Sequence, residues 1–195
     1  VGGSEFGGQL ITIDGVGLGG LDSVEMNGIA CEVVEEVGST VIIRSVAGTN
    51  PVIFTINGWG NEPYTFDSTG YMYSAPGSLS DTTGLAGILS VAGGQDLILS
   101  VSGSNDVGTE FVAIVSGGDE DFTSDSAAAS AGEYTFTTPS RAPGIYNVQL
   151  RSDSFGLTQA LPITYNFKLE SASSEWDNDN ASPAGLGNLK ISVAA

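Results

Sequence analysis

Gly7-Gly8-Gln9-Leu10-Ile11-Thr12-Ile13-Asp14-Gly15 holds a glycine pair, a run of strand-forming residues and an Asp-Gly turn. A glycine pair ahead of a strand lets the chain kink as it enters a sheet. The pair recurs as Gly93-Gly94-Gln95-Asp96-Leu97-Ile98, 86 residues further on (7 to 93), and each copy leads into a strand that stops at a glycine, Gly15 or Gly103. A spacing of that size suits two small β-sandwiches in series.

The pattern spreads outward from both copies. Ser23-Val24-Glu25-Met26 runs into Asn27-Gly28, and Val52-Ile53-Phe54-Thr55-Ile56 runs into Asn57-Gly58. Asn-Gly and Asp-Gly supply the positive φ angles of tight hairpins. Cys31 to Val34 and Thr40 to Ile43 are further strands in the first half. Leu97 to Val101, Phe111 to Val115, Tyr134 to Thr137, Tyr146 to Leu150 and Ile163 to Phe167 are their counterparts in the second. Several alternate apolar with polar residues, as half-buried strands do, and no stretch carries a 3.6-residue apolar period. The best helix candidate, Ser126-Ala127-Ala128-Ala129-Ser130, is one turn at most. Each half closes on an aromatic strand, around Tyr71-Met72-Tyr73 and Tyr165-Asn166-Phe167. The expected organisation is a sandwich over residues 1–76, a Pro/Gly-broken linker over 77–84, a second sandwich over 85–170 and an acidic arm over 171–195. In the arm, Leu189 to Val193 reads as a late strand added to a sheet edge.

Composition bounds the chemistry. The 195 residues carry 23 Asp/Glu against 5 Lys/Arg, a net charge of −18. Phosphate binding needs clustered cations, so a nucleic-acid partner is not expected. There is no histidine, which removes the usual neutral-pH general base and both Ser-His-Asp and Cys-His catalysis. Cys31 is the single cysteine, so no intrachain disulfide forms, and a small buried hydrophobe is its expected role. No apolar run approaches the roughly 18 residues of a membrane span, so membrane insertion is not expected. The start at Val1 reads as a processed chain or a piece of a longer one.

With these residues in hand, the first half resembles an IPT/TIG domain, an immunoglobulin-like sandwich. The matching residues are Gly7-Gly8, Leu10 to Ile13, Gly15-Val16-Gly17-Leu18, Val24 to Val33, and Ser39-Thr40-Val41-Ile42. The second half is similar through Gly93-Gly94, Thr138-Pro139 and Gly144-Ile145-Tyr146-Asn147-Val148. It departs at Gly103-Ser104-Asn105-Asp106, and the proline that opens such domains is missing before Gly7. The resemblance implies an all-β fold of two tandem immunoglobulin-like (IPT/TIG-like) β-sandwiches with a C-terminal arm. It also implies a non-catalytic module.

Asp119-Glu120-Asp121 with Asp125 forms the densest acidic cluster, and Asp119, Asp121 and Asp125 can supply oxygens to Ca²⁺. The other reading is a solvated loop. Their spacing matches no EF-hand. No other cofactor is expected. Trp59 and Tyr64, within Asn57-Gly58-Trp59-Gly60-Asn61-Glu62-Pro63-Tyr64, bring two aromatics to a loop, and exposed aromatic faces grip sugar rings and protein partners. Trp59 folding back over its own core is the alternative. Trp176, in the acidic arm, reads as an anchor for a neighbour. Arg44, Arg141, Arg151, Lys168 and Lys190 are too few for a patch, and each is expected to have a carboxylate neighbour. The sequence-level expectation is a structural protein that assembles on a virion, as capsid decoration or appendage, with copies of itself or another virion or surface protein as partners. A cell-surface adhesin segment binding a glycan or protein receptor is one alternative. An accessory module of an extracellular enzyme is another. The location that follows is a virion, the extracellular space or a cell surface.

Overall fold

The computed structural model describes residues 2–58, 62–68, 70–102, 110–125, 127–128 and 132–167. These form strands joined by turns, with no helix among the described residues. In the first half the strands are β1 (Gly2–Ser4), β2 (Leu10–Asp14), β3 (Leu21–Met26), β4 (Ile29–Ala30), β5 (Glu32–Val37), β6 (Thr40–Arg44), β7 (Ile53–Gly58), β8 (Tyr64–Asp67) and β9 (Met72–Ser74). In the second half they are β10 (Ser78–Asp81), β11 (Leu89–Ser90), β12 (Asp96–Ser102), β13 (Glu110–Ser116), β14 (Phe122–Thr123), β15 (Ala127–Ala128), β16 (Glu133–Thr137), β17 (Gly144–Ser152), β18 (Gly156–Leu157) and β19 (Leu161–Asn166).

Alternation drives these elements. Along β6 the side chains of Val41 and Ile43 are fully buried, along β12 Leu97 and Leu99, and along β17 Tyr146, Val148 and Leu150 point inward. With a period of two, one face of each strand meets the core and the other meets water. The inward residues form two core clusters with no residue in common. One is built around Val24, Met26, Ile43, Phe54 and Tyr73, and the other around Leu99, Tyr134, Phe136, Leu150 and Tyr165. β5 is exposed along its whole length and carries Glu32, Glu35 and Glu36, so charge protects this sheet edge from pairing with another chain.

The two halves share one connectivity. In the first, β2 pairs β6 in the sheet β2-β6-β5, and β3 pairs β7 in the sheet β4-β3-β7-β8. In the second, β12 pairs β16 in the sheet β10-β12-β16, and β13 pairs β17 in the sheet β11-β19-β17-β13-β14. In each half a short early strand runs parallel to the closing one, β1 beside β9 with Gly3 opposite Tyr73 and β11 beside β19 with Leu89 opposite Tyr165. The chain crosses between sheets from β2 to β3 and from β12 to β13, so that the long pairs β2–β6, β3–β7, β12–β16 and β13–β17 join strands apart in sequence, while β3–β4, β5–β6, β7–β8, β13–β14 and β17–β18 pair as neighbours. That is the Greek-key arrangement of an immunoglobulin-like sandwich.

Two segments differ from the sequence reading. Residues 77–84, expected as linker, contain β10, which pairs β12 from Ser78↔Ser102 to Asp81↔Leu99. Its single apolar side chain, Leu79, packs on the second core. Ala127-Ala128, the described part of the helix candidate Ser126 to Ser130, instead pairs β13 at Glu110 and Phe111. An edge of β13 with unsatisfied main-chain groups outweighs the helix propensity of so short a run. The arm 171–195, with Trp176, lies outside the described residues, as does the Gly103 turn.

The sandwiches join end to end. The hairpin between β17 and β18, at the upper end of the second sandwich, sits against the turn between β1 and β2, at the lower end of the first. Ser4 N–H donates to Phe155 O (2.8 Å), Leu157 N–H to Gly7 O (2.8 Å) and Leu10 N–H to Asp153 O (2.9 Å). The Ser4 hydroxyl donates to Leu157 O (2.6 Å) and Gln9 Nε2 to Ser154 O (2.7 Å). Arg44 completes the joint. Its guanidinium donates to Gly8 O (2.9 Å) and pairs with Glu32 (3.2 Å) in its own half and with Asp153 (3.1 Å) across the junction. The carboxylate neighbours expected for Arg44 are therefore within the chain.

Candidate binding site at the upper end of the first sandwich

β2 ends and β3 begins at the upper end of the first sandwich, and β7 ends there too. The β2–β3 turn and the β7–β8 connection therefore stand side by side. Between them lies a groove of about 570 Å³, lined by Asp14, Val16, Leu18, Glu62, Tyr64 and Phe66 among others. Leu18 is buried and forms the floor, closing the core beneath Gly15. Val16 is fully exposed at the rim. The turn is pinned by Gly20 N–H, which donates to the Glu36 carboxylate. Asp14 accepts from the Thr40 hydroxyl at 2.6 Å.

Tyr64 is the functional side chain the sequence singled out here. β8 pairs β7 with Tyr64 opposite Ile56, and the Tyr64 ring is 66 % exposed. It is held from behind by other rings. Tyr64 lies 5.8 Å from Phe66, Phe66 stacks on Phe54 at 5.3 Å, and Phe54 meets Tyr71 edge-on at 6.4 Å. Ring pairs in tilted and offset geometries of this kind add to apolar burial. The series runs from solvent into the core, so the exposed face is presented on a fixed support. Trp59 lies outside the described residues, between Gly58 and Glu62, which both line the groove.

The chemistry on offer is an aromatic face, an exposed aliphatic side chain and two carboxylates, with no cation among the described lining residues. Carboxylates accept hydrogen bonds from hydroxyl groups, and an aromatic face covers the apolar face of a sugar ring or an aliphatic side chain. An anionic ligand meets only repulsion here.

The acidic cluster lies elsewhere. Asp119 and Asp121 sit between β13 and β14, Asp125 follows β14, and all three are exposed. Among the described residues no three acidic or thiol groups converge where a metal ion could be held. Arg141, between β16 and β17, lies over the Tyr146 ring at 5.6 Å and donates to Glu120 O at 2.7 Å. Its partners are thus a ring and a carbonyl. Cys31 is half-buried beside the first core, less deeply than the sequence suggested, and burial pushes its thiol pKa up to about 11. The Asp14 to Leu18 side of the groove escaped the sequence reading as a site. Its Asp14-Gly15 turn was legible only as a turn, because nothing in the sequence places it beside Tyr64.

No protein-family model and no curated protein matches the sequence. Among solved structures, the plexin A4 extracellular region superposes with a TM-score of 0.46 at 14 % identity, over 84 % of this chain and 15 % of that one. The Bacteroides ovatus mixed-linkage glucan utilization locus protein SGBP-B, solved with a mixed-linkage heptasaccharide, gives 0.33 at 14 % identity over 94 % and 47 %. The Yersinia pseudotuberculosis adhesin InvE gives 0.33 at 14 % identity over 85 % and 56 %. The chain spans 15 % to 56 % of the length of these three. No helix among the described residues is long and apolar enough to cross a membrane.

Proposed function

We propose that this chain is a non-catalytic binding segment of an extracellular or cell-surface adhesin, its two sandwiches of the IPT/TIG kind. It grips a neutral glycan or a hydroxyl-rich protein surface at the Tyr64 groove. The observation that carries this reading is the Tyr64 ring, exposed and backed by Phe66 and Phe54 beside two carboxylates. A side chain of that size left in water on a rigid support gives a partner a large contact at small ordering cost. Screening the chain on a neutral-glycan array, with Tyr64→Ala alongside, tests it. Binding that falls at least about tenfold with Tyr64→Ala supports the reading, since a central aromatic contact contributes roughly 2 kcal/mol or more. Absence of binding, or binding indifferent to that change, removes the glycan as the partner of the groove.

A structural role on a virion, as decoration or appendage, is the second reading. It draws on the hydrogen-bonded junction between the sandwiches, which suits a stiff spacer. Light scattering over a concentration series, with a capsid-binding assay, separates the two. Self-assembly or capsid capture favours the structural role, and a monomer that binds glycan favours the adhesin.

A further inference from the structure

The sheet β2-β6-β5 ends in two edge strands of different character. β5 carries Glu32, Glu35 and Glu36, and its register against β6 shifts between Val33 and Glu35. Charge and irregular register both keep an edge from pairing with a further strand. β2 has neither defence in full. It pairs β6 residue for residue from Leu10 to Asp14, and Asp14 is its single charged side chain.

Main-chain parity defines what β2 offers. Ser45 N–H donates to Gln9 O, and Gly15 N–H donates to Ser39 O. Gln9, Ile11, Ile13 and Gly15 therefore turn their main-chain groups toward β6. In an antiparallel pair the residues between them face the other way, so Leu10, Thr12 and Asp14 aim theirs outward. The first of these outward groups is already used. Leu10 N–H donates to Asp153 O of the second sandwich at 2.9 Å. Thr12 and Asp14 continue the same row, and no described strand pairs them on that side.

This row borders a cavity between the two sheets. β2 rises from the junction to Asp14, and β8, the edge of the opposite sheet, descends from Tyr64 to Asp67. Between them, below the Tyr64 groove, lies a cavity of about 330 Å³ lined by Ile11, Ile13, Phe54, Phe66 and Tyr71 among others. Phe54 and Tyr71 are buried, and Ile11, Ile13 and Phe66 pack on the same core. Asp14 and Asp67, both exposed, supply the charge, and no cation is among the described lining residues.

We propose that the outer edge of β2 and this cavity bind an extended peptide strand of another protein, one with alternating apolar side chains and lysine or arginine at its ends. The strand continues the row of bonds that Asp153 O begins at Leu10, takes up Thr12 and Asp14, and widens the sheet by one member. Side chains standing opposite Ile11 and Ile13 point between the sheets, about 7 Å apart, into the apolar cavity. The side chains between them face water. Cationic ends meet Asp14 and Asp67, and an acidic strand is repelled. The site lies below Tyr64 and does not rest on the glycan reading.

The test reads hydrogen exchange, amide by amide, on the unaltered chain with and without the probe peptide Lys-Thr-Val-Thr-Val-Thr-Lys. In the free chain, Thr12 and Asp14 N–H should exchange at least about a hundredfold faster than Ile11 and Ile13 N–H. Saturating probe should slow Thr12 and Asp14 by about tenfold or more. Two N-methylated probes, one blocked on its valine amides and the other on its threonine amides, should differ about tenfold or more in affinity, because one set alone faces β2. A probe ending in glutamate instead of lysine should bind about tenfold more weakly or worse. Thr12→Pro deletes the central outward N–H at an edge position that spares the ladder to β6, and should weaken probe binding about tenfold. The exchange data decide the matter if that variant does not fold. Slow exchange at Thr12 in the free chain, whether residues 168–195 or a second copy protects it, overturns the proposal. So do equal affinities of the two methylated probes, a glutamate-ended probe that binds as well, or no binding at millimolar probe.

Discussion

Gly156 controls the junction at the scale of one atom. Its φ of +100° disfavours any side chain, and a Cβ there would fall inside the contact radius of the Gly7 carbonyl oxygen that Leu157 N–H is bonded to. Gly17 is a matched control, with a φ of +81° and no described residue within 4 Å. Gly17→Ala should cost about 1–2 kcal/mol, the backbone penalty alone. Gly156→Ala should cost about 2–4 kcal/mol, because strain and a lost junction add. Urea unfolding should stay single-step for Gly17→Ala and split in two for Gly156→Ala. Cys31 gives a second measurement at this scale. Burial raises its pKa to about 11, so the thiol is neutral through physiological pH. A folded-state pKa above the unfolded value means that its contribution to stability is complete below the unfolded pKa and is lost as pH rises through the folded one. Alkylation of the folded chain at pH 8.5 should run about a hundredfold slower than in urea.

Among the elements, the crossing from β10 to β11 depends on Asp81. Its carboxylate accepts from Thr83 N–H (2.8 Å), the Thr83 hydroxyl and Ala86 N–H (2.8 Å), and so holds the strand as it changes sheets. Burial pushes this carboxyl up, but the hydrogen bonds from Thr83, Ala86 and Gly84 outweigh it and hold its pKa below the usual value. The sign follows. The stabilisation is present above the unfolded pKa and is lost as pH falls through the lowered, folded one. Asp81→Asn should therefore lower stability by about 1 kcal/mol at pH 7, as loss of a capping carboxylate does, and should flatten the acid limb of a urea-midpoint profile. Arg44 acts between elements. Arg44→Met removes the bonds to Gly8 O, Glu32 and Asp153 and should cost about 1.5–3 kcal/mol. Most of that should survive high salt, because both carboxylates are exposed and screened already.

The sequence was informative where one physical signal sufficed. β6, β12, β13, β16 and β17 announced themselves because inward Val, Ile, Leu, Phe and Tyr alternate with outward polar residues. Gly7-Gly8 and Gly93-Gly94 announced the repeat because few residues tolerate positive φ twice in succession. β10 hid inside an apparent linker because Leu79 is its single apolar side chain. The parallel pairs β1–β9 and β11–β19 were not legible, since two or three residues carry no periodicity. Tyr64 was visible as an aromatic in a polar context. Its groove was not, because Asp14 to Leu18 arrive from a different hairpin through the fold. Nothing in the sequence marks Asp153 to Gly156 as the joint, which depends on three-dimensional register.

At the scale of the whole molecule, the two cores share no residue, and the junction binds them through main-chain bonds, the Ser4 and Gln9 side chains and a bridging arginine. Hydrogen bonds between backbone groups on opposed turns fix orientation as well as distance, so the halves should tumble as a single elongated body. The net charge of −18 keeps neighbouring molecules apart at low salt. The most direct test of this account is a set of backbone N–H residual dipolar couplings on the full chain in dilute aligning medium. Couplings from both sandwiches should fit one alignment tensor in the orientation given by Ser4–Phe155, Gly7–Leu157 and Arg44–Asp153, and Gly156→Ala should split that fit. Two unrelated tensors in the unaltered chain would contradict the account.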